Sequence, residues 1–542
     1  MKNILLLLIL HSAVIIQNSF SQSPNWLWAK SAGGLEWDES LSVAADKRGN
    51  IYLTGYFTSD SILFGNFTLY NTNSPDKKIF IVKYDSSGTA IWARSSACPC
   101  SNSEGNRITV DDSGNVYVTG DFYGPNITFG SFTLTDTFCV NPTDLFIVKY
   151  DSYGNVQWLN GAQVCGNNWI ADIAADKFGN VYAIGSFAAD SITFSNVVLT
   201  NNNLVDNFFI VKYNSSGNVL WAKNAVDTNA YYHMAMDTAG NVYIRGNSHD
   251  SLLLVKYTDG GNISWIRKYD TNISIDKIAT DFSGNIYGTG NFTFNIIVGS
   301  DTLINHAYCS DILIVKFDSL GNILWGKGIG GTWCDRPFDI TTDNRGNFFI
   351  TGDFWDDTLN FDGIILNNIQ GEDMYVVKYD SNGIVKWATS IGSVGQEAGT
   401  GVAANMNGDV YVSGVFSFNS TMHFGSTTLM NPNGPADIFI SKLDTALVTG
   451  YNEVEKYDTR LLLYPNPAAN KLIIHISLSK SQNISLKIFD ISGRLVTTLA
   501  DKVFESGENE IVWNTAQLKA EVYFLQFQSD VFTQTEKLIV TK

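Results

Sequence analysis

One copy of the pattern that decides the fold reads Asp144-Leu145-Phe146-Ile147-Val148-Lys149-Tyr150-Asp151, then Trp158, then Asp176-Lys177-Phe178-Gly179-Asn180-Val181-Tyr182. A pattern that recurs along a chain at a nearly constant spacing indicates one supersecondary unit that is used many times. Its turn glycine recurs seven times at steps of 44 to 65 residues, as Gly49, Gly114, Gly179, Gly240, Gly284, Gly346 and Gly408. Its tryptophan follows the same rhythm, as Trp28, Trp92, Trp158, Trp221, Trp265, Trp325 and Trp387.

Each copy alternates apolar and polar residues with period two and is interrupted by Gly and Asn, which is typical of antiparallel strands. In the second copy, 108–111 and 115–120 flank one turn, and 145–150 and 155–159 flank another. Two hairpins give four strands, which is one propeller blade. In the Asp-x-x-Gly-Asn turns we expect the aspartate to cap the turn rather than to bind calcium, because the ligand spacing of an EF-hand is absent.

The two ends of the repeat region complement each other. The tryptophan series begins at Trp28 with no Phe-Ile-Val-Lys-Tyr segment before it, and the last such segment, 438–443, has no tryptophan after it. We therefore predict that 22–444 form an all-β, seven-bladed β-propeller whose N-terminal strand, 26–30, closes the last blade and removes its open edge. Most copies also carry an excursion between the hairpins, such as 62–65, and we expect six excursions on one face of the ring.

Composition and the N-terminus limit the possible partners. The net charge of −18 argues against a nucleic-acid partner, because a strongly acidic surface repels phosphate. Residues 1–21, with Lys2 before an apolar run, predict a secretory signal peptide. No later apolar run is long enough to cross a bilayer, so we expect no transmembrane segment in the exported chain.

Six cysteines in an exported chain raise the question of disulfides. Cys139 with Cys165, and Cys309 with Cys334, stand at the open ends of equivalent hairpins, where the two strands are neighbours, so we predict these two bridges. Cys98 and Cys100 are left to close on each other, to stay reduced or to bind a metal. The histidines have no ligand spacing, and no metal site is predicted from them.

The pattern changes after the last repeat. Residues 445–460 have no clear period and are interpreted as a linker, and 461–542 alternate again over about 80 residues, which predicts a small β-sandwich. Strands are expected at 471–476, 484–490, 510–513, 522–527 and 537–540.

Both parts resemble known families. The repeats, over about 26–444, resemble the bacterial β-propeller repeat family, which implies a fold and no particular activity. The segment 461–542 has its own set of motif residues, which include Tyr464, Pro465, Asn466, Pro467, Asp490, Gly493, Arg494, Lys537 and Lys542. Through them it resembles the C-terminal sorting domain of the type IX secretion system of Bacteroidetes-type bacteria, with one departure, Ala520-Glu521, where that family usually has a Gly. This resemblance implies a cargo of the type IX secretion machinery that passes through the periplasm and is secreted or displayed on the outer-membrane surface.

Functional residues are expected where the copies differ. Four residues before each turn Asp or Asn stands a varied, mostly polar residue beside a uniformly apolar one, which predicts the mouth of a central channel. The polar set is Ser42, Arg107, Asp172, His233, Lys277 and Asp339, with Gly401 in the seventh copy. Loops leading to it add Trp37, Asp38, Glu39, Trp333, Asp335 and Arg336, together with Glu104, Trp169, Tyr231, Tyr232 and Glu397.

Aromatic and carboxylate side chains at a channel mouth favour a non-catalytic binding or structural module, without cofactor, for a glycan or protein ligand. A hydrated channel with no specific ligand is an alternative. A second alternative is an extracellular polysaccharide-acting hydrolase or lyase, because paired carboxylates such as Asp172 with Asp339, or Glu39 with Asp335, suit such chemistry. No nucleophile elbow, phosphate loop or dinucleotide motif occurs in a suitable context.

Overall fold

The computed structural model describes residues 24–98, 102–135, 143–164, 168–201, 207–225, 230–248, 251–269, 273–306, 309–343, 346–405, 408–444, 460–464, 468–478, 481–491, 493–529 and 533–541. The predicted signal peptide and nearly all of the predicted linker lie outside these ranges. The chain forms two compact units, Met1–Leu447 and Val448–Lys542. Regular structure in the described residues is entirely β.

Seven four-stranded antiparallel sheets make up the first unit, as far as the structure describes it. The chain starts with β1 (Asn25–Ala32) and enters the first blade with β2 (Asp38–Ala45), β3 (Ile51–Phe57), β4 (Ser61–Phe64), β5 (Phe67–Tyr70), β6 (Lys78–Tyr84) and β7 (Ala90–Ser95). The second blade contains β8 (Asn102–Val110), β9 (Val116–Tyr123), β10 (Asn126–Phe129), β11 (Phe132–Thr135), β12 (Thr143–Tyr150) and β13 (Val156–Gly161). The third contains β14 (Gln163–Val164), β15 (Asn168–Ala175), β16 (Val181–Phe187), β17 (Ser191–Phe194), β18 (Val197–Thr200), β19 (Asn207–Tyr213) and β20 (Val219–Asn224).

The fourth blade is the shortest, with β21 (Ala230–Met236), β22 (Val242–Ser248), β23 (Ser251–Tyr257) and β24 (Ile263–Tyr269). The fifth contains β25 (Lys277–Thr280), β26 (Ile286–Phe292), β27 (Ile296–Val298), β28 (Asp301–Leu303), β29 (Asp311–Phe317) and β30 (Ile323–Ile329). The sixth contains β31 (Asp335–Thr342), β32 (Phe348–Phe354), β33 (Thr358–Phe361), β34 (Ile364–Asn367), β35 (Asp373–Tyr379) and β36 (Val385–Ile391). The seventh contains β37 (Glu397–Ala404), β38 (Val410–Ser417), β39 (Thr421–Phe424), β40 (Thr427–Met430) and β41 (Ala436–Asp444).

The first strand of each sheet is the innermost one. It contacts the first strands of the two neighbouring blades, in the order β2, β8, β15, β21, β25, β31, β37 and back to β2. The seven innermost strands therefore surround a central channel, and the molecule is the predicted closed propeller.

The N-terminal strand supplies the fourth strand of the last sheet. β1 pairs antiparallel with β41, from Asn25 opposite Asp444 to Ala32 opposite Ile438. The Thr400 hydroxyl of the seventh blade donates to the Ser40 carbonyl of the first at 3.0 Å, which joins the two ends of the ring. The predicted closure is confirmed, and it leaves no unpaired edge between the first and last blades.

The repeated residues hold adjacent blades together. Trp92 on β7 donates its indole N–H to the Ser152 carbonyl in the next blade at 3.3 Å, and its ring covers the turn at Gly154. The Trp28 indole N–H donates to the Ser86 carbonyl at 3.1 Å. The closing strand therefore binds the first blade in the same way as the other outer strands bind the blade that follows them. Lys149 donates its ammonium to the Ser215 carbonyl in the third blade at 2.8 Å, and it lies 5.2 Å from the centre of the Tyr117 ring in its own blade. The pattern that repeats in the sequence is thus the set of contacts between blades.

The Asp-x-x-Gly-Asn turns are capped by their own aspartates, as predicted. In the second blade, Asp111 Oδ1 accepts the Ser113 and Asn115 backbone N–H groups at 2.9 Å each. Its Oδ2 accepts from the Asn115 amide at 2.8 Å and from the Tyr117 hydroxyl at 2.9 Å. These four hydrogen bonds use the four acceptor positions of the Asp111 carboxylate, so this carboxylate caps the turn and has no lone pair left for a calcium ion.

Six excursions form hairpins among the described residues: β4–β5, β10–β11, β17–β18, β27–β28, β33–β34 and β39–β40. In the third blade, β14 adds a third strand by pairing with β17. Each excursion leaves the junction between the second and third strands of its sheet, and the fourth blade passes directly from β22 to β23. The hairpins leave one face, as expected, but fold back along the outer strand of the blade. They fold back because they carry apolar side chains that need burial: Ile62 and Phe64 on β4, for example, lie in the blade core.

The ring has two different faces. We call the face with the tight turns after the first and third strands of each sheet the turn face. The opposite face, which carries the connections between blades and the junctions of the excursions, is the loop face. Every innermost strand starts at the loop face and ends at the turn face.

The second unit is a two-sheet sandwich, as predicted. Its strands are β42 (Arg460–Tyr464), β43 (Lys471–Leu478), β44 (Gln482–Asp490), β45 (Leu495–Phe504), β46 (Gly507–Asn514), β47 (Val522–Ser529) and β48 (Thr533–Ile539). One sheet has the order β42-β43-β46 and the other β45-β44-β47-β48, with a shared core that includes Leu472, Ile474, Leu486 and Leu525. The sequence did not predict β42 and β45, and β45 escaped because most of its side chains are exposed and do not alternate.

The bridge between Cys309 and Cys334 is present, with the two Cα atoms 5.4 Å apart. Cys98 is also disulfide-bonded, which removes the reduced and metal-bound alternatives for it. The predicted pair Cys139 and Cys165 lies outside the described residues, as does Cys100.

Candidate functional site

The structure brings the predicted polar ring together in one cavity of the central channel. This cavity has a volume of about 170 Å³ and is lined by Ser42, Arg107, Asp172, His233, Lys277 and Asp339 with their apolar neighbours. The ring lies inside the channel rather than at its mouth. In the first blade, for example, β2 begins at Asp38, and a bulge between Ser40 and Ser42 sets Ser42 in the middle of the strand.

Several ring residues accept hydrogen bonds from the next blade. Asp172 Oδ2 accepts the Met234 backbone N–H at 2.8 Å, and Asp339 Oδ2 accepts that of Val402 at 2.9 Å. Ser42 plays the same role for Ile108 at 3.3 Å. An innermost strand is a sheet edge, and its buried N–H groups need partners. The ring therefore has a structural task before any ligand is considered.

His233 is neutral in this ring. Its Nδ1 accepts the Ile278 N–H at 3.3 Å, so the ring proton belongs on Nε2, which lies 3.4 Å from Asp172 Oδ2. Burial, and then the positive charges of Lys277 and Arg107, lower the pKa of His233 well below 6.5. Protonation would also remove the acceptor for Ile278.

Arg107 and Lys277 differ from the other ring residues because they have only donors. Arg107 Nε lies 3.6 Å from Asp172 Oδ1. Burial, and then the charge of Arg107, lower the pKa of Lys277 to about 8. The two cations come from the second and fifth blades, so they face each other across the channel.

Asp38 and Asp335 are not at the channel mouth, which corrects the prediction. Both are fully buried at the loop-face ends of β2 and β31. Asp38 accepts the Ser59 hydroxyl at 2.9 Å, and Asp335 accepts the Gly331 N–H at 3.0 Å. Burial, and then the neighbouring Asp356 carboxylate, raise the pKa of Asp335 to about 8. These carboxyls stabilise loops and are closed to a ligand.

Glu39 and Arg336 lie one residue further along their strands and are occupied by neighbours. Glu39 Oε2 accepts from the Tyr56 hydroxyl at 2.7 Å and from the Trp37 indole at 3.3 Å. Arg336 donates Nε to Asp353 at 2.9 Å and also pairs with Glu372.

Tryptophans outside the repeat rhythm lie on the loop face. Trp37 and Trp333, both predicted, are 46% and 58% exposed, and Trp169 is 38% exposed. Trp355, just after β32, is 42% exposed. It is not among the residues predicted from the sequence, although a tryptophan outside the repeat series could have been recognised as a candidate binding residue. By contrast, the repeat tryptophan Trp92 is 3% exposed.

In the sorting unit, Asp490 caps the turn between β44 and β45. Its Oδ1 accepts the Arg494 backbone N–H at 3.0 Å and its Oδ2 accepts Arg494 Nε at 3.1 Å, while Gly493 adopts a φ of 82°. Lys537 lies on β48. Tyr464 ends β42, whereas Pro465, Asn466, Pro467 and Lys542 lie outside the described residues.

Two family models match the chain. Residues 462–541 match the secretion system C-terminal sorting domain, and 101–121 match the beta-propeller repeat. With the fold above, these matches define the class: a β-propeller repeat protein. More particularly, it is a propeller that carries a type IX secretion system sorting domain, which directs it outside the cell or to the outer-membrane surface and implies contact with that secretion machinery.

Relatives are distant. An uncharacterized WD repeat-containing protein of Acanthamoeba polyphaga mimivirus is 26% identical over 455 residues, covering 74% of this chain and 32% of that protein. The regulatory protein FlaEY of Caulobacter vibrioides is 21% identical over 213 residues, covering 38% of this chain and 22% of that protein. The chain thus spans about a third or less of the length of these relatives.

Solved structures with similar folds include PorZ, a surface component of the type-IX secretion system of Porphyromonas gingivalis. It is 11% identical with a TM-score of 0.25, and the match covers 93% of this chain and 81% of that one. Virginiamycin B lyase from Staphylococcus aureus is 9% identical with a TM-score of 0.39, covering 77% of this chain and all of that one.

The described residues include neither a membrane-spanning helix nor a cluster of metal ligands. No helix there is long and apolar enough to cross a membrane. No three or more His, Cys, Asp or Glu side chains in that part of the chain are grouped so as to hold a metal ion.

Proposed function

We propose that this protein is a secreted, non-catalytic binding module that holds an extracellular glycan or protein on its loop face. The observation that carries the proposal is the exposure of Trp37, Trp169, Trp333 and Trp355, which share this face although they come from three different blades. We call these four side chains the tryptophan surface.

The repeat tryptophans provide contacts between blades. Trp92, Trp158 and Trp387 are buried and the other repeat tryptophans are partly buried, whereas the four side chains of the tryptophan surface are exposed. Burying an aromatic side chain completely removes about 150–250 Å² from water, and about half of each of these side chains is still exposed, so a partner that covers one gains about 2–3 kcal/mol. Trp and Tyr are accordingly enriched at the centres of binding surfaces. The hydrogen bond from Trp37 to Glu39 also fixes one indole in place before any ligand arrives.

The carboxylate pairs considered for catalysis are poorly suited to it. A glycosidase needs two carboxyl groups that flank the substrate. Asp335 is fully buried, which removes the pair with Glu39. Asp172 and Asp339 each accept a backbone N–H from the next blade and sit in a cavity of about 170 Å³. Ligand sites for small organic molecules usually measure about 300–1,000 Å³.

The test is a glycan and protein array probed with the mature chain, 22–542. We expect one class of ligand to bind, and single changes of Trp37 and Trp333 to Ala to weaken that binding at least tenfold. Phe178→Ala and Tyr153→Ala, which remove exposed aromatics from the turn face, serve as matched controls and should bind as the unchanged chain does.

Binding that is unaffected by the tryptophan changes would contradict the proposed surface. Turnover of a polysaccharide by the purified chain without added cofactor, lost in Asp172→Asn or Asp339→Asn, would contradict the non-catalytic role. It would favour the hydrolase or lyase alternative.

A further inference from the structure

The channel cavity contains donors that make no hydrogen bond with the described part of the chain. Arg107 Nε is buried and forms an ion pair with Asp172 Oδ1, but the distance of 3.6 Å is too long for a hydrogen bond. Arg107 Nη1 donates to the Asn106 carbonyl at 2.8 Å. Lys277, in the same cavity, makes no hydrogen bond or ion pair with any residue in the described part of the chain. Buried polar groups without partners are rare and call for a missing ligand or water.

The acceptors of the cavity, in contrast, are engaged. Asp172 Oδ1 accepts the Ile173 N–H at 2.9 Å and its Oδ2 accepts that of Met234 at 2.8 Å. Asp339 likewise accepts backbone N–H groups from Ile340 and Val402. Each carboxylate is held by backbone N–H groups, and neither forms a hydrogen bond with Arg107 Nε or with the Lys277 ammonium. These two donors therefore call for an acceptor from outside the described chain.

The electrostatics of the cavity agree with this count. The positive charges of Lys277 and Arg107 disfavour protonation of His233, and the charge of Arg245 adds to this effect. Asp172 and Asp339 offset the two cations, and Asp276 also stabilises the charge on Lys277. Yet backbone N–H groups hold both channel carboxylates against the wall, whereas Arg107 Nε and the Lys277 ammonium make no hydrogen bond with the described residues.

We propose that the channel binds a small oxyanion, of the size of inorganic phosphate or sulfate, between the guanidinium of Arg107 and the ammonium of Lys277. A cavity of about 170 Å³ holds such an ion with a few waters but not an oligosaccharide. This site shares no residue with the tryptophan surface, and the proposal for it does not depend on the proposed function of that surface.

The test is titration of the mature chain with sodium sulfate and, separately, sodium phosphate at pH 7, followed by calorimetry and by the melting temperature. Sodium chloride at matched ionic strength is the reference. We expect saturable binding of at least one oxyanion, weakened at least tenfold by Arg107→Gln and by Lys277→Met. Lys277→Arg should retain it, because it keeps a donor cation at that position. Lys47→Met, which removes an exposed cation from the turn face, is the matched control.

Binding should also weaken as the pH rises through about 8, because Lys277 then loses its charge. His233 stays neutral over this range and does not contribute to the change. The circular dichroism and melting temperature without oxyanion show whether each variant is folded, and Lys277→Arg keeps the test valid should Lys277→Met fail. No effect beyond that of sodium chloride, or equal affinity in the folded variants, would overturn the proposal. Loss of oxyanion binding in Trp37→Ala would contradict the independence of the two sites.

Discussion

At the scale of single residues, the loop face is unusual in its buried carboxyl groups. Burial raises the pKa of Asp38 to about 6 and that of Asp437 to about 7, and burial with the nearby Asp356 raises that of Asp335 to about 8. Between the unfolded value near 3.8 and these folded values, the native chain binds protons that the unfolded chain has released. Stability therefore falls as the pH rises through this window, from about 4 to 8.

The change Asp335→Asn tests this directly. Asparagine keeps a carbonyl oxygen for the Gly331 N–H and removes the charge, so the variant should gain stability relative to the unchanged chain as the pH rises from 5 to 8. The gain is at most about 1.4 kcal/mol for each pH unit. Urea unfolding at pH 5, 6, 7 and 8 measures it, with the exposed Asp60→Asn as control. An identical pH slope in Asp335→Asn and the unchanged chain would refute the assignment.

At the scale of elements, the contact between an outer strand and the next turn is the repeated joint of the ring. Gly154 has a φ of 80°, which favours glycine, and a Cβ there would lie 2.8 Å from the Trp92 ring. Gly346 has a φ of 78° in another turn, but among the described residues a Cβ there meets Ser381 alone, at an ordinary 3.6 Å. The two glycines separate the cost of backbone conformation from the cost of collision.

Alanine at each position makes this comparison. Gly346→Ala should cost about 1–2 kcal/mol for its left-handed conformation. Gly154→Ala should cost the same plus about 1–3 kcal/mol, because the added methyl group displaces Trp92. Chemical unfolding of both variants measures the difference, and Trp92 fluorescence should report the displacement only in Gly154→Ala. Equal losses of unfolding free energy in the two variants would show that the Trp92 indole does not pack tightly against the turn.

At the scale of the whole molecule, stability depends on a closure between residues more than 400 positions apart in sequence, such as Asn25 and Asp444. Without β1, β41 would present an unpaired edge, and Trp28 would no longer bond to the first blade. The excursions, by comparison, are dispensable, since the fourth blade forms its sheet without one.

Deleting 24–32 should therefore abolish the single cooperative unfolding transition of the propeller and cause self-association through the open edge. Replacing 58–77 with the short connection of the fourth blade is the control, and that variant should remain monodisperse with a modestly lower melting temperature. Calorimetry and size-exclusion chromatography distinguish the two. A deletion variant that melts like the control would mean that the ring closes without β1.

Export depends on the other unit. Removing 461–542, which contain the sorting domain, should leave the propeller in the periplasm, whereas the full chain reaches the cell surface or medium. Fractionation and protease protection in the native host measure this, with the triple change Trp37→Ala, Trp169→Ala and Trp333→Ala as a control that leaves the sorting domain intact. Arrival of the truncated chain at the surface would contradict the assigned role.

The fold followed from the sequence because its contacts are local to the repeat. Trp92, Lys149 and Tyr117 each donate a hydrogen bond to a turn of the next blade, and Gly154 lies in such a turn. Every copy must therefore keep their spacing, and that spacing is visible without coordinates. The same logic predicted the closing strand and the Cys309–Cys334 bridge. It failed for β45, whose exposed side chains do not alternate.

The sites depended on facts that no pattern encodes. Asp38 and Glu39 are neighbours in sequence, yet one is fully buried beneath a loop and the other reaches the indole of Trp37. The charged ring was found by comparing copies, but which of its members are satisfied, and that Arg107 and Lys277 keep unused donors, appears only when seven blades meet around one axis. The repeat alone determined the blades, their number and their closure, because those rest on contacts of fixed spacing. Burial and partnership at the sites were decided by tertiary structure, because they depend on which distant strands share a space.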